Sequence, residues 1–185
     1  MSPLFEAALE IQSFCRNQEW EFCIIGGLAV ARWGEPRATL DVDVSLLTGL
    51  GNERTVIDQL LSQFHPREAG VAGFAVESRV LLVNAANKVP IDIALAAFPF
   101  EEQLIRRASD FRFSNDAAIR TASAEDIIVL KSFSGRDKDW LDVRGIVTRQ
   151  NQRLDWDYTV ENLQMLCEMN EDLSPLDRLA EFRQQ

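Results

Sequence analysis

One histidine, His65, and three cysteines are all the imidazole and thiol in this chain of 185 residues. A Ser-His-Asp or Cys-His nucleophile is therefore out of reach in practice unless His65 serves, and nothing around it supports that role. Cys15, Cys23 and Cys167 are odd in number and widely spaced, and no pair has zinc-ligand spacing. They read as buried thiols in a reducing cytoplasm. Basic residues are also scarce: 19 Lys and Arg against 29 Asp and Glu leave a net charge of −10. That balance argues against a coat for DNA or an anionic membrane, because counterion release needs clustered Lys and Arg. It leaves room for a small basic cleft around a nucleotide. No apolar run approaches the roughly 20 residues that span a bilayer. The first residues lack a basic lead, and Glu6, Glu10 and Gln12 interrupt their apolar positions, so no secretory signal is read. The expectation is a soluble, cytoplasmic protein with no membrane partner.

What remains is ordinary globular material, 46% hydrophobic and 26% charged. The length suits one domain, or one domain with a helical extension, and needs neither disulfide nor structural metal to fold. Helical periodicity runs from Pro3 to Arg16, with Ser2 at the N-cap. Phe22-Cys23-Ile24-Ile25 then reads as a strand, Gly26-Gly27 as a turn and Leu28–Trp33 as a helix closed by Gly34-Glu35-Pro36. Leu40 to Leu46 alternates apolar and polar, the pattern of a strand with two unlike faces. Arg54 to Phe64 carries a helical stripe. Further strands are expected at Phe74–Val76, Val80–Val83 and Val89–Leu95, with a hairpin turn over residues 85–88. A short helix at Glu101–Ala108 and two weak strands, Phe111–Phe113 and Ala118–Arg120, complete a mixed part up to Ala122. Helices follow at about 124–134, 137–149, 157–169 and 175–183. The expected fold class is mixed α+β: a small sheet flanked by helices over residues 1–122, then a helical region over 123–185 packed on it. Half of the net charge lies from Arg153 onward, where eight acidic residues face three basic ones.

Four features carry chemistry. Asp41-Val42-Asp43 places two carboxylates on one side of a strand, about 6–7 Å apart along the chain. Like charges at that spacing repel unless a cation sits between them, and hard oxygen ligands suit magnesium; a solvated acidic edge strand is the plainer alternative. Gly26-Gly27 at a helix start would let phosphate oxygens reach backbone amides, or would simply make a tight turn. Asp92, inside the apolar run Val89–Leu95, is costly to bury alone. It joins the other two acids if their strands are neighbours, or else partners an arginine or sits at an exposed strand end. Lys131 and Arg136, with Asp139 and Asp142, either face a triphosphate or decorate a helical hairpin with salt bridges. The remaining residues invite bland readings: Trp20, Trp33, Trp140 and Trp156 as packing, Met165 and Met169 as part of a buried stripe, His65 as a loop residue.

Taken together, these segments resemble the nucleotidyltransferases of the polymerase-β-like superfamily, and more closely the AbiEii-type toxins of type IV toxin–antitoxin systems. The resemblance is carried by Ile25-Gly26-Gly27-Leu28-Ala29, Arg37 through Asp43, Pro90-Ile91-Asp92-Ile93, and Glu125 through Lys131, Gly135-Arg136 and Lys138-Asp139 to Asp142. It implies an enzyme that moves a nucleoside monophosphate from a nucleoside triphosphate to an acceptor hydroxyl. It also implies a two-ion magnesium site, with manganese as substitute, on Asp41, Asp43 and Asp92. Asp92 would also take the proton of the attacking hydroxyl. Gly26, Gly27, Arg37, Lys131 and Arg136 would bind nucleotide phosphates, and Thr39, Asp139 and Asp142 would support them. The superfamily often has serine where Gly27 stands, so the side-chain contact to phosphate is missing here. The acceptor stays open among tRNA, a protein and a small molecule, as does an antitoxin partner. A catalytically silent scaffold that binds nucleotide or protein is the alternative.

Overall fold

The computed structural model describes residues 2–183. Two compact units are distinguished: one holds the residues up to Leu28 with Ala38–Ala122, the other Ala29–Arg37 with the residues from Ser123 onward.

The first unit is built on a mixed seven-stranded sheet. In chain order the strands are β1 (Phe22–Ile24), β2 (Val42–Leu47), β3 (His65–Pro66), β4 (Val80–Asn84), β5 (Pro90–Ala96), β6 (Ser109–Arg112) and β7 (Ala118–Thr121). Their order across the sheet is β3-β4-β5-β2-β1-β7-β6. β2 runs parallel to β5 and β1 parallel to β7, whereas the other neighbours are antiparallel. The sheet is thus mixed, as the sequence leads one to expect. β4 and β5 form the expected hairpin, and Lys88 in its turn has φ +67°.

Alternation explains the core. Val42, Val44 and Leu46 of β2 and Ile91, Ile93 and Leu95 of β5 are buried on one face. There they join Leu81 and Val83 of β4 in one apolar cluster. α1 (Pro3–Asn17) contributes Ala7, Ala8, Ile11 and Cys15 to the same cluster, and α3 (Glu53–Leu61) contributes Val56, Ile57 and Leu60. Ser2 has the extended backbone of an N-cap, but its side chain makes no capping bond. α2 (Gly26–Trp33) starts at the glycines themselves, and Gly26 makes the turn into it with φ +59°.

Two local expectations are corrected. Phe74–Val76 is not a strand but lies within α4 (Val71–Ser78), between left-handed residues at Gly70 and Arg79. The buried residues there, Val71 and Ala75, are four apart, and Phe74 and Val76 face outward at 50% and 45% exposure. His65 pairs with Asn84 in the edge strand β3 instead of lying in a loop. α5 (Pro99–Arg107) ends the helical inventory of this unit.

The second unit is helical: α6 (Ala124–Ser134), α7 (Asp137–Gln150), a 3-10 turn at Asn151–Arg153, α8 (Trp156–Met169) and α9 (Ser174–Arg183). Ser123 caps α6, its Oγ accepting from the Asp126 backbone at 3.2 Å, and Gly135 closes that helix at φ +68°. Both follow from the preference of these residues for non-helical backbone at helix ends. Trp140 is buried and stacks on Phe182, its ring parallel within 5°. Met165 and Met169 are not in a buried stripe: they are 37% and 69% exposed, and Asn162, Leu163 and Cys167 hold the inner side of α8. No described helix is long and apolar enough to cross a membrane.

Candidate active site

In the register of β2 against β5, Asp43 stands directly beside Asp92. Adjacent residues of paired strands point to the same face. Both carboxylates therefore project from the side opposite Val42, Val44, Ile91 and Ile93. Asp41 lies just ahead of β2 and adds a third. One oxygen from each of Asp41, Asp43 and Asp92 lies within 4.8 Å of the others, and all three residues are half-buried. Among the described residues this is the one such group.

The start of α2 closes the site on one side. The Ile25 amide donates to the Asp43 carbonyl at 2.9 Å, which carries the β1–β2 ladder up to the glycines. Gly26 has φ +59°, and a Cβ there would lie 1.8 Å from Asp43 Oδ2 and 2.5 Å from its Cγ. Glycine is required twice over, by conformation and by space. A Cβ on Gly27 would fall 2.5 Å from Thr39 Oγ1 and 2.7 Å from its Cβ. Thr39 in turn donates to Asp41 Oδ1 at 3.0 Å. The diglycine thus lets Asp43 and Thr39 lie against the first turn of a helix, whose free amides carry partial positive charge.

Arg67 lies outside every motif of the sequence, and it is the residue that completes this cluster. It follows β3, and its amide donates to Leu82 O at 3.1 Å. Leu82 is the cross-strand partner of Asp92. The guanidinium reaches over to Asp92 Oδ1 and also to the Ile91 carbonyl at 3.4 Å. The arginine partner for Asp92 that the sequence left open is therefore real, and so is the convergence of the three acids. The only hint of it in the chain is an isolated arginine at the end of a helix–strand connection.

In the helical unit, Lys131 and Asp139 are 8% and 0% exposed. Lys131 Nζ donates to Asp139 Oδ1 at 2.7 Å and lies 3.1 Å from Asp142 Oδ2. Arg136 pairs with the other oxygen of Asp139. Arg37 grips Asp142 with two parallel bonds, Nε to Oδ1 at 2.8 Å and Nη2 to Oδ2 at 3.0 Å. Burial by itself would raise the Asp139 pKa, but hydrogen bonds from Arg136 and Lys131 outweigh it and hold the carboxyl below its ordinary range. Two buried carboxylates neutralised by three cations form a satisfied network. It joins Arg37, Lys131, Arg136, Asp139 and Asp142, the five residues singled out in this unit.

Such a mixed sheet, with paired carboxylates on neighbouring parallel strands and a glycine-started helix beside them, is the fold of the nucleotidyltransferases. The chain belongs to the family described as "Nucleotidyltransferase of unknown function (DUF6036)", which it matches over residues 2–179. Among curated proteins none matches. Solved structures share the fold at low identity. An antigenic nucleotidyltransferase-like protein from Paracoccidioides brasiliensis is 17% identical, with 92% of this chain and 89% of that one covered and a TM-score of 0.52. The lincosamide antibiotic adenylyltransferase LnuA, lincomycin-bound, is 12% identical, with 76% and 94% covered and a TM-score of 0.50. ANT(2'')-Ia in complex with adenylyl-2''-tobramycin is 14% identical, with 90% and 96% covered and a TM-score of 0.53.

Proposed function

We propose that this protein transfers a nucleoside monophosphate from a nucleoside triphosphate to the hydroxyl of an acceptor, using Asp41, Asp43 and Asp92. The observation that carries the reading is the convergence of those three carboxylates, within 4.8 Å, against the glycine start of α2. Their donor set fits a divalent cation. All ligands are hard oxygens, the donor type that magnesium prefers, and they converge within 4.8 Å of one another. Manganese fits the same set. The cation would screen the triphosphate and polarise the phosphorus under attack.

The chain's own groups supply the rest. Amides of Gly26 and Gly27 at the start of α2 would receive phosphate oxygens. Gly27 lacks the hydroxyl expected of the superfamily, but the Thr39 hydroxyl lies beside the place where a side chain on residue 27 would project, which favours an active enzyme over a silent scaffold. Asp92 would take the proton of the acceptor hydroxyl as it attacks the α-phosphate in line and pyrophosphate leaves. Arg136, with more than half of its side chain exposed, is the cation of its network best able to meet phosphate, while Arg37 is half-exposed. Lys131 acts from within, holding Asp139 and Asp142.

For the acceptor we favour a small hydroxylated molecule. Two of the similar structures hold lincomycin or an adenylylated tobramycin, and a net charge of −10 disfavours a long polyanionic surface such as tRNA. A type IV toxin acting on tRNA under control of an antitoxin protein is the competing acceptor class within the same chemistry. A requirement for nucleoside triphosphate and three buried free thiols suit work in the cytoplasm. The test is incorporation of labelled nucleotide, with magnesium or manganese, across a panel of small molecules, tRNA and protein. Wild type should label an acceptor and the Asp41→Ala/Asp43→Ala variant should not. No labelling by wild type together with no nucleotide binding in calorimetry would defeat the proposal.

A further inference from the structure

Arg67, Leu82, Asp92 and Asp43 lie in one row across the sheet, because the Arg67 amide bonds Leu82 O and each later residue faces the next in register. The guanidinium crosses Leu82 to end on Asp92, and its second acceptor is the Ile91 carbonyl. Its contacts place a permanent positive charge on one of three clustered carboxylates. Asp41 has a hydroxyl from Thr39 instead. Both members of the Arg67–Asp92 pair keep about a third of their side-chain surface in contact with solvent (30% and 31%), so the pair is open to a solvated cation.

We propose that Arg67, a positioning residue acting through its ion pair with Asp92, weakens the binding of a divalent cation to the three carboxylates alone. The proposal rests on the reading of this site as a nucleotidyl-transfer centre. Arg67 reduces the local charge from three negative to two. A cation entering alone meets a neighbouring positive charge. A cation entering with a triphosphate brings four or so negative charges that offset it. The arrangement makes metal retention depend on nucleotide, which keeps the centre from filling before substrate arrives.

The experiment is manganese binding, followed by loss of the free-ion electron paramagnetic resonance signal, without nucleotide. Arg67→Gln and Arg67→Met remove the charge, and methionine keeps an apolar stem over Leu82. Arg67→Lys keeps the charge. A unit charge within a few ångströms of a divalent ion in a solvated site, screened by physiological salt, is worth about three- to tenfold in affinity. The neutral variants should therefore bind manganese alone about three- to tenfold more tightly than wild type, and lysine should stay within about twofold. The gain should shrink when a nonhydrolysable nucleoside triphosphate is present. Unchanged or weaker manganese binding in either folded neutral variant overturns the proposal, as does equal tightening by lysine. If wild type itself binds no manganese with or without nucleotide, the nucleotidyl-transfer reading falls and takes this one with it. Binding by wild type without any response at position 67 removes only this one. Circular dichroism and urea midpoints establish which variants are folded.

Discussion

Gly26→Ala should be among the most damaging single-methyl changes in the protein, for two separable reasons. The left-handed backbone at φ +59° costs a non-glycine residue about 1–2 kcal/mol. The new methyl would also meet Asp43 Oδ2 at 1.8 Å and Cγ at 2.5 Å, and forcing an overfilled site apart costs about 1–3 kcal/mol. The expected loss is about 2–5 kcal/mol, a large part of the stability of a domain this size. Asp43→Ala removes Oδ2 and Cγ, although its Cβ stays 2.8 Å from the added methyl. In that background Gly26→Ala should cost only about 1–3 kcal/mol. Relief of like-charge repulsion by Asp43→Ala enters both arms of the cycle equally and cancels. Urea unfolding of the four proteins, compared at constant m, gives the coupling energy, expected at about 1–2 kcal/mol. Additivity within about 0.5 kcal/mol would mean that Asp43 does not lie against Gly26, and the geometry of the site would be wrong.

Other outcomes follow from the same contacts. Gly27→Ala should lose about 1–3 kcal/mol by pressing on Thr39, and Thr39→Ala should recover part of that loss in urea titrations. Lys131→Met leaves Asp139 and Asp142 short of a buried cation and should cost about 3–5 kcal/mol, read from the shift in denaturation midpoint. Because the folded pKa of Asp139 is lowered, its contribution is fully present above the unfolded carboxylate value of about 3.9 and fades as pH falls through the lower folded value. The stability gap between wild type and Asp139→Asn should therefore be wide near pH 6 and close in acid. Burial pushes the Cys15 thiol up to about 12, so a thiol reagent at pH 8 should leave it untouched in the folded protein and label it after unfolding.

Most of the elements were legible in the chain because their periods are distinct. Alternation at Leu40–Leu46 announced a strand that shows both acids of Asp41-Val42-Asp43 to one side. Ser123 and Gly135 marked the ends of α6 to the residue. Phe74–Val76 misleads because a run of three apolar residues has no measurable period. Its helix is decided by the spacing of Val71 and Ala75 and by the left-handed residues at either end. Met165 and Met169 mislead for a related reason: they sit one turn apart, yet the inner side of α8 is claimed by Leu163 and Cys167, and a one-dimensional stripe does not say which side a neighbour will cover.

The chemistry of the site divides along the same line. Local chain rules suffice to say that Asp41 and Asp43 are close and that a glycine pair begins a helix, since both follow from backbone geometry over a few residues. That Asp92 faces Asp43, that Arg67 comes to rest on Asp92, and that Lys131 is held between Asp139 and Asp142 all depend on long-range pairing. β2 and β5 are separated by two helices and two strands, and their parallel register is chosen by the shared apolar core of Val42, Val44, Ile91 and Ile93. Composition and spacing thus named the candidate groups, whereas burial of hydrophobic surface decided which of them meet.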